Sequence, residues 1–158
     1  MLVIVAKVVK EHGDGDLVKG FENVKRHIHN LRDQFNLNTV VAINVHDDDS
    51  AEDLNTLKTL CKNENVYVEF ARGFALGAEG CLDLAKRVLS LVNVEKPLHY
   101  TYEMTDSIKQ KIEKIAKQIY GAKKVEYSLQ ANKKIELANA FGMKGFFVNI
   151  AKTQFSFS

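Results

Sequence analysis

Three glycines and an aromatic ring lie within Ala71-Arg72-Gly73-Phe74-Ala75-Leu76-Gly77-Ala78-Glu79-Gly80, between a β-like run and an apolar helical pattern. Glycine-rich strand-to-helix turns are where phosphates are cradled, so nucleotide binding is the first chemistry to test. A phosphate loop needs Gly-x-x-x-x-Gly-Lys followed by Ser or Thr: the lysine meets the phosphates and the hydroxyl meets magnesium. Counted from Gly73, the last glycine and the lysine are replaced by Ala78 and Glu79. A carboxylate there repels a triphosphate. The Gly-x-Gly-x-x-Gly dinucleotide spacing is missing as well. Two readings stay open: a plain strand-to-helix turn, or glycines that let backbone approach a flat ligand closely.

The second polar stretch is Asn44-Val45-His46-Asp47-Asp48-Asp49-Ser50. It lacks the lysine of a guanine-reading Asn-Lys-x-Asp motif. Three successive aspartates suit a hard cation, but adjacent side chains in an extended segment point different ways and no glycine-bearing calcium loop follows. Asp49 and Ser50 are more simply the N-terminal groups of a helix. No metal site is expected. His27 and His29 are two apart on a helix and face different ways, and His12 and His99 are isolated, so no catalytic constellation can be read.

The elements that must carry these segments follow from apolar periodicity. Leu2–Val9 reads as a buried strand. Gly13 and Gly15 break it and Asp16 caps a helix. That helix carries Phe21, Val24, Ile28, Leu31 and Phe35 at steps of 3, 4, 3 and 4. Residues 39–45 form a second strand, and Ser50 caps a helix burying Leu54, Leu57, Leu60 and Cys61. Residues 65–71 form a third strand, which leads into the glycine loop. The helix after it presents Leu82, Leu84, Ala85, Val88, Leu89 and Val92 as core. Apolar strands joined by helices predict a mostly parallel sheet covered by helices, in Rossmann-like or P-loop-like layers. Pro97 marks a change of style. A short strand at His99–Tyr102 is expected, then a helix capped by Thr105 with Ile108, Ile112, Ile115 and Ile119 in register, stopping at Gly121. A helix over about 128–140 ends at Gly142, and Phe146–Ala151 reads as a last strand. The organisation is an α/β unit with ligand loops over 1–98 and a helical extension with a final strand over 99–158, packed as one domain.

In such sheets ligands lie beyond the carboxyl ends of the strands, which is where 44–50 and 72–80 fall. The totals set bounds on the rest. With 158 residues and 46% hydrophobic content the chain can bury a core, and no apolar run is long enough to cross a bilayer. The opening Leu-Val-Ile-Val has no cationic lead or cleavage site, so no secretion signal is expected. Cys61 and Cys81 match no metal or redox spacing, which points to a reducing cytoplasm with both thiols buried. Residues 1–106 carry 12 Lys and Arg against 17 Asp and Glu, whereas 107–158 carry 10 lysines against three glutamates. A lysine field attracts anions without specifying which, and without interleaved aromatics it gives no case for nucleic acid.

The segments "GFENVKRHIHN" at 20–30, "VVAIN" at 40–44, "ALGAEGCLDLAKRV", "SIKQKIEKIAKQIYGAKKVEYS" and "AKTQFSFS" resemble formate–tetrahydrofolate ligase, in family order along nearly the whole chain. "VAKVVKEHG" near the start is similar to that family's "VATVRALKMHGG". The resemblance implies an ATP-dependent ligase of one-carbon metabolism that joins formate to tetrahydrofolate, through formyl phosphate, to give 10-formyltetrahydrofolate. The family's chains are much longer, and their phosphate loop lies upstream of the part matched here. This chain resembles a later-middle slice.

The family's "AIN-x-F-P" loop sets an aromatic and a proline beside the ligand; His46 and Asp47 stand there. Its "W-A-K-G-G-x-G" loop supplies a tryptophan over a flat ring; here Phe74, Ala75, Leu76 and Gly77 match, with Ala78 in place of a glycine. Phe147 and Asn149 replace a proline and a cysteine. The resemblance thus implies a folate and nucleotide site at Asn44, His46, Asp47, Phe74, Ala75, Leu76 and Gly77, with none of them acid, base or nucleophile. The implied small-molecule partners are folate, ATP with Mg2+ and formate, with no tightly bound cofactor, no nucleic acid or membrane, and a possible homo-oligomer. Lacking the phosphate loop, the chain is expected to be inactive alone. The alternative is a truncated binding or assembly module that kept the fold and lost the pocket.

Overall fold

The structure is a computed structural model that describes residues 1–151. It divides into two compact units, Met1–Leu98 and His99–Ser158.

The first unit is α/β. Strands β1 (Leu2–Ile4), β2 (Val40–Asn44) and β3 (Tyr67–Ala71) form a parallel sheet in that order, with Val41 beside Leu2 and Val68, and Asn44 beside Ala71. Helices α1 (Ala6–His12) and α2 (Leu17–His29) join β1 to β2, and α3 (Ala51–Asn63) joins β2 to β3. Because side chains alternate along a strand, β2 feeds two cores. Val41 and Ile43, both fully buried, pack with Phe21 and Ile28 of α2 and Leu57 and Cys61 of α3. Val40 and Ala42 face the other way, onto Leu84 of α5 (Leu82–Val92). Asp16 caps α2 by accepting from the Val18 and Lys19 N–H groups, and Ser50 caps α3 by accepting from Asp53 N–H.

Several expectations change. The strand expected over 2–9 ends at Ile4, and residues 6–12 are helix. Val5 is extended, and Ala6 and Val9, three apart, bury one side of α1, while Val8 stays exposed. Packing overrides the β-branched preference of this stretch. The α2 stripe is fully buried only through Ile28. At Asn30–Gln34 the chain widens into a π-turn, with Phe35 N–H donating to the Asn30 carbonyl, so Leu31 and Phe35 drift off the core line and are half-buried. On α5 the sheet takes Leu84, Val88 and Leu91. Leu82, Ala85, Leu89 and Val92 form a second apolar stripe that stays exposed, Leu89 by 67%. Cys81 is half-buried, whereas Cys61 is fully buried, and burial pushes its thiol up to about 12.

The second unit is helical. Ser107 rather than Thr105 caps α6 (Ile108–Gln118), in a reciprocal capping box with Gln110. Ser128 caps α7 (Leu129–Ala140), which ends before a left-handed Gly142. The three isoleucines of α6 and Ile119 at its C-cap are half-buried, and the fully buried side chain of this helix is Lys111. Its ammonium donates to the Lys144 carbonyl at 2.8 Å and to the Phe146 carbonyl at 2.9 Å, and lies 5.5 Å from the centre of the Tyr102 ring. Neither expected strand forms, at 99–102 or at 146–151. Val148 N–H donates to the Tyr102 hydroxyl, which donates to the Val148 carbonyl, so the backbone groups a ladder would use are taken by a side chain. The remainder of the "AKTQFSFS" segment, 152–158, lies outside the described residues.

Candidate functional site

β2 and β3 are neighbours, so the loops leaving their carboxyl ends start side by side: Val45 N–H still donates to the Ala71 carbonyl at 2.9 Å. Beyond that point the β2 loop closes on itself. His46 N–H donates to the Asp49 carboxylate at 2.8 Å, and Asp49 N–H donates back to the His46 carbonyl at 3.2 Å. The Asn44 side-chain amide meets His46 Nε2 at 3.2 Å. With the amide as donor, that ring nitrogen is the acceptor. This pair holds the imidazole over the end of β2.

The β3 loop closes too. Arg72 N–H donates to the Gly80 carbonyl at 3.0 Å, and the Arg72 carbonyl accepts from Leu76 N–H at 2.9 Å, so the loop opens with the short helix α4 (Gly73–Leu76). Gly80 is needed for closeness: a Cβ there would lie 2.5 Å from the Arg72 carbonyl oxygen, inside contact distance. Gly77 is needed for conformation, since its φ of +58° with ψ of −141° is open almost only to glycine. Both glycines thus serve the turn.

Between the loops lies a cavity of about 300 Å³. Val45, His46 and Asp47 line it from the β2 side, Arg72 and Ala75 from the β3 side, and Ala51 and Leu54 of α3 add apolar wall. Asp49 lines it as well, and it also borders a second cavity of about 360 Å³ whose walls include Lys7, Lys10 and Asp53. There Lys10 Nζ donates to Asp53 at 2.6 Å, and that bond, with one from Ser50, holds the Asp53 carboxyl below its ordinary range.

Of the seven residues expected at a site, His46, Asp47 and Ala75 share one cavity and Asn44 touches it through His46. Phe74, Leu76 and Gly77 do not line it. Phe74 is 96% exposed on the α4 turn beside Ala75. Asp49 and Arg72, which lie in the two expected loop segments but not among those seven residues, line the cavity, and so does Leu54 of α3. Arg72 had a readable signal: it is the first residue past β3, where ligands of parallel sheets lie. Among the described residues no group of three or more His, Cys, Asp or Glu side chains is placed to hold a metal ion. No helix among them is long and apolar enough to cross a membrane.

A family model described as formate–tetrahydrofolate ligase matches residues 4–158. A formate–tetrahydrofolate ligase of Campylobacter concisus is 42% identical over 142 residues, which is 90% of this chain and 26% of that protein. One from Bacteroides thetaiotaomicron is 39% identical over 95% of this chain and 27% of its own length. Formate–tetrahydrofolate ligase 2 of Lactobacillus acidophilus is 36% identical over all of this chain and 30% of its own length. The chain therefore spans about a quarter to a third of the relatives it matches.

Proposed function

The chain belongs to the formate–tetrahydrofolate ligase family, and on that premise we propose that it is the portion of such a ligase that carries part of the folate and nucleotide pocket. The complete reaction joins formate to tetrahydrofolate at the expense of ATP and gives 10-formyltetrahydrofolate. The observation that carries this reading is the cavity at the carboxyl ends of β2 and β3, walled by His46, Asp47 and Ala75 from the two family ligand loops. Asn44 steadies His46 from below. Phe74, Leu76 and Gly77 would meet the part of the ligand that projects past the rim, with the exposed Phe74 ring as a stacking face. The pocket binds and orients, and none of these side chains acts as acid, base or nucleophile. Mg2+ would arrive with ATP rather than on this chain's own carboxylates. A Rossmann-like layering, the cytoplasm and possible self-association belong to the same reading.

Nothing in the sequence matches a triphosphate loop, so the chain by itself makes no 10-formyltetrahydrofolate. An assay of the isolated chain in which product forms only with ATP and formate present would overturn that statement. A second reading, a non-catalytic module that lost the pocket, is favoured by His46, Asp47 and Ala78, which replace the family's aromatic, proline and glycine. Calorimetric titration with tetrahydrofolate and with ATP separates the two: micromolar binding supports a retained pocket, and silence supports the module.

A further inference from the structure

We propose that Arg72 is the anion-recognising residue of this cavity and takes a carboxylate or phosphate group of the bound ligand; the proposal rests on the pocket reading above and deepens it. Three observations carry it. First, among the described residues Arg72 is the one lysine or arginine lining the cavity between the β2 and β3 loops. Second, its charge is uncommitted. Arg32 is paired with Asp33 and Arg87 with Glu69, but no carboxylate among the described residues pairs with Arg72, whose guanidinium lies 5.8 Å from the centre of the Phe70 ring. Third, its backbone is fixed on both sides, by its N–H on Gly80 and its carbonyl under Leu76, and Gly80 has no room for a Cβ.

The glycine loop is thereby assigned a task. It binds no phosphate of its own, and it pins the residue that offers a charge. A guanidinium is planar, permanently charged and forked, which suits two-point recognition of a carboxylate or phosphate oxygen pair. A locked backbone lowers the ordering cost of using it. Asp47 and Asp49 in the same cavity repel anions, so the ligand's negative group is confined to the Arg72 side while its N–H donors can face the carboxylates.

Two ligands of the family could bring the anion, and four probes tell them apart. Tetrahydrofolate carries carboxylates and 6-methyltetrahydropterin does not; ATP carries phosphates and adenosine does not. Each is titrated into the chain and into Arg72→Gln and Arg72→Lys, with thermal unfolding of each variant as a check on folding. Loss of a charged hydrogen-bonded contact is expected to weaken the charged ligand about tenfold in Arg72→Gln, with a smaller loss in Arg72→Lys and none for its uncharged counterpart. A loss confined to tetrahydrofolate assigns Arg72 to a carboxylate, and one confined to ATP assigns it to phosphate. Unchanged affinity for a charged ligand that the original chain binds overturns the role of Arg72 and leaves the pocket standing. If Arg72→Gln does not fold, Arg72→Lys decides by the same comparison. Binding of none of the four probes overturns the pocket reading, and the role of Arg72 with it.

Discussion

The main-chain N–H of Arg72 donates to the carbonyl of Gly80 at 3.0 Å, so the glycine-rich loop after β3 is a closed turn rather than an open cradle. Space at that contact is what selects glycine, because a methyl group on Gly80 would sit 2.5 Å from the Arg72 carbonyl oxygen.

Replacement of Gly80 by alanine must therefore move backbone. Overpacking of this kind costs about 1–3 kcal/mol, and it should also displace Arg72 from the cavity. Urea unfolding of Gly80→Ala is expected to show a lower midpoint. A midpoint equal to that of the original chain would mean that the loop has slack the structure lacks.

Helix α5 offers a paired comparison. Leu84 is buried against Val40 and Ala42, whereas Leu89 is 67% exposed. Leu84→Ala is expected to cost about 2–4 kcal/mol and Leu89→Ala less than about 0.5 kcal/mol in the isolated chain. The reverse order would show that the other stripe of α5 faces the sheet.

In the helical unit, Tyr102 and Lys111 hold the 144–148 segment by side-chain bonds to its backbone. Tyr102→Phe removes both bonds to Val148 and should cost about 1–3 kcal/mol. Lys111→Met leaves the Lys144 and Phe146 carbonyls without their donor. Amide exchange of Val148 is expected to accelerate in both variants. Exchange that stays slow would show that other contacts hold the segment.

Acid should loosen the α2–α3 contact. Burial raises the Glu64 carboxyl, but hydrogen bonds from His29 and Lys25 outweigh it and hold the group below its ordinary 4.5. A depressed carboxyl contributes stability that is present above pH 4.5 and is lost as the pH falls through its lower folded value. Glu64→Gln should thus be less stable than the original chain at pH 7 and converge with it toward pH 3. Parallel stability curves across that range would remove Glu64 from the acid response.

Local chemistry made much of the fold legible. Asp16, Ser50 and Ser128 cap helices because each hydroxyl or carboxylate needs only the amides two or three residues on. The run 40–44 is the central strand because four of its five side chains are buried, and 67–71 pairs with it while burying only Val68 fully. What remained illegible depends on distant partners. Ala6 and Val9 bury one side of a helix where β-branched neighbours suggest strand, and the Tyr102 hydroxyl occupies the Val148 backbone groups that a ladder would use. The Ser107–Gln110 capping box carries a local Ser-x-x-Gln signature, and it sets the start of α6 two residues past Thr105. At the site, the meeting of the two loops followed from neighbouring parallel strands, but periodicity says nothing about how far a side chain stands out. Hence Phe74, the expected wall, lies outside the cavity lining, and Arg72 lies within it.

The central claim is that the loops after β2 and β3 form one ligand pocket. Its most direct test is an amide NMR titration of the chain with tetrahydrofolate and, separately, with ATP. The account expects saturable shifts, in the micromolar range for at least one ligand, concentrated at residues 44–49 and 72–80. Shifts scattered elsewhere, or none with either ligand, would contradict it.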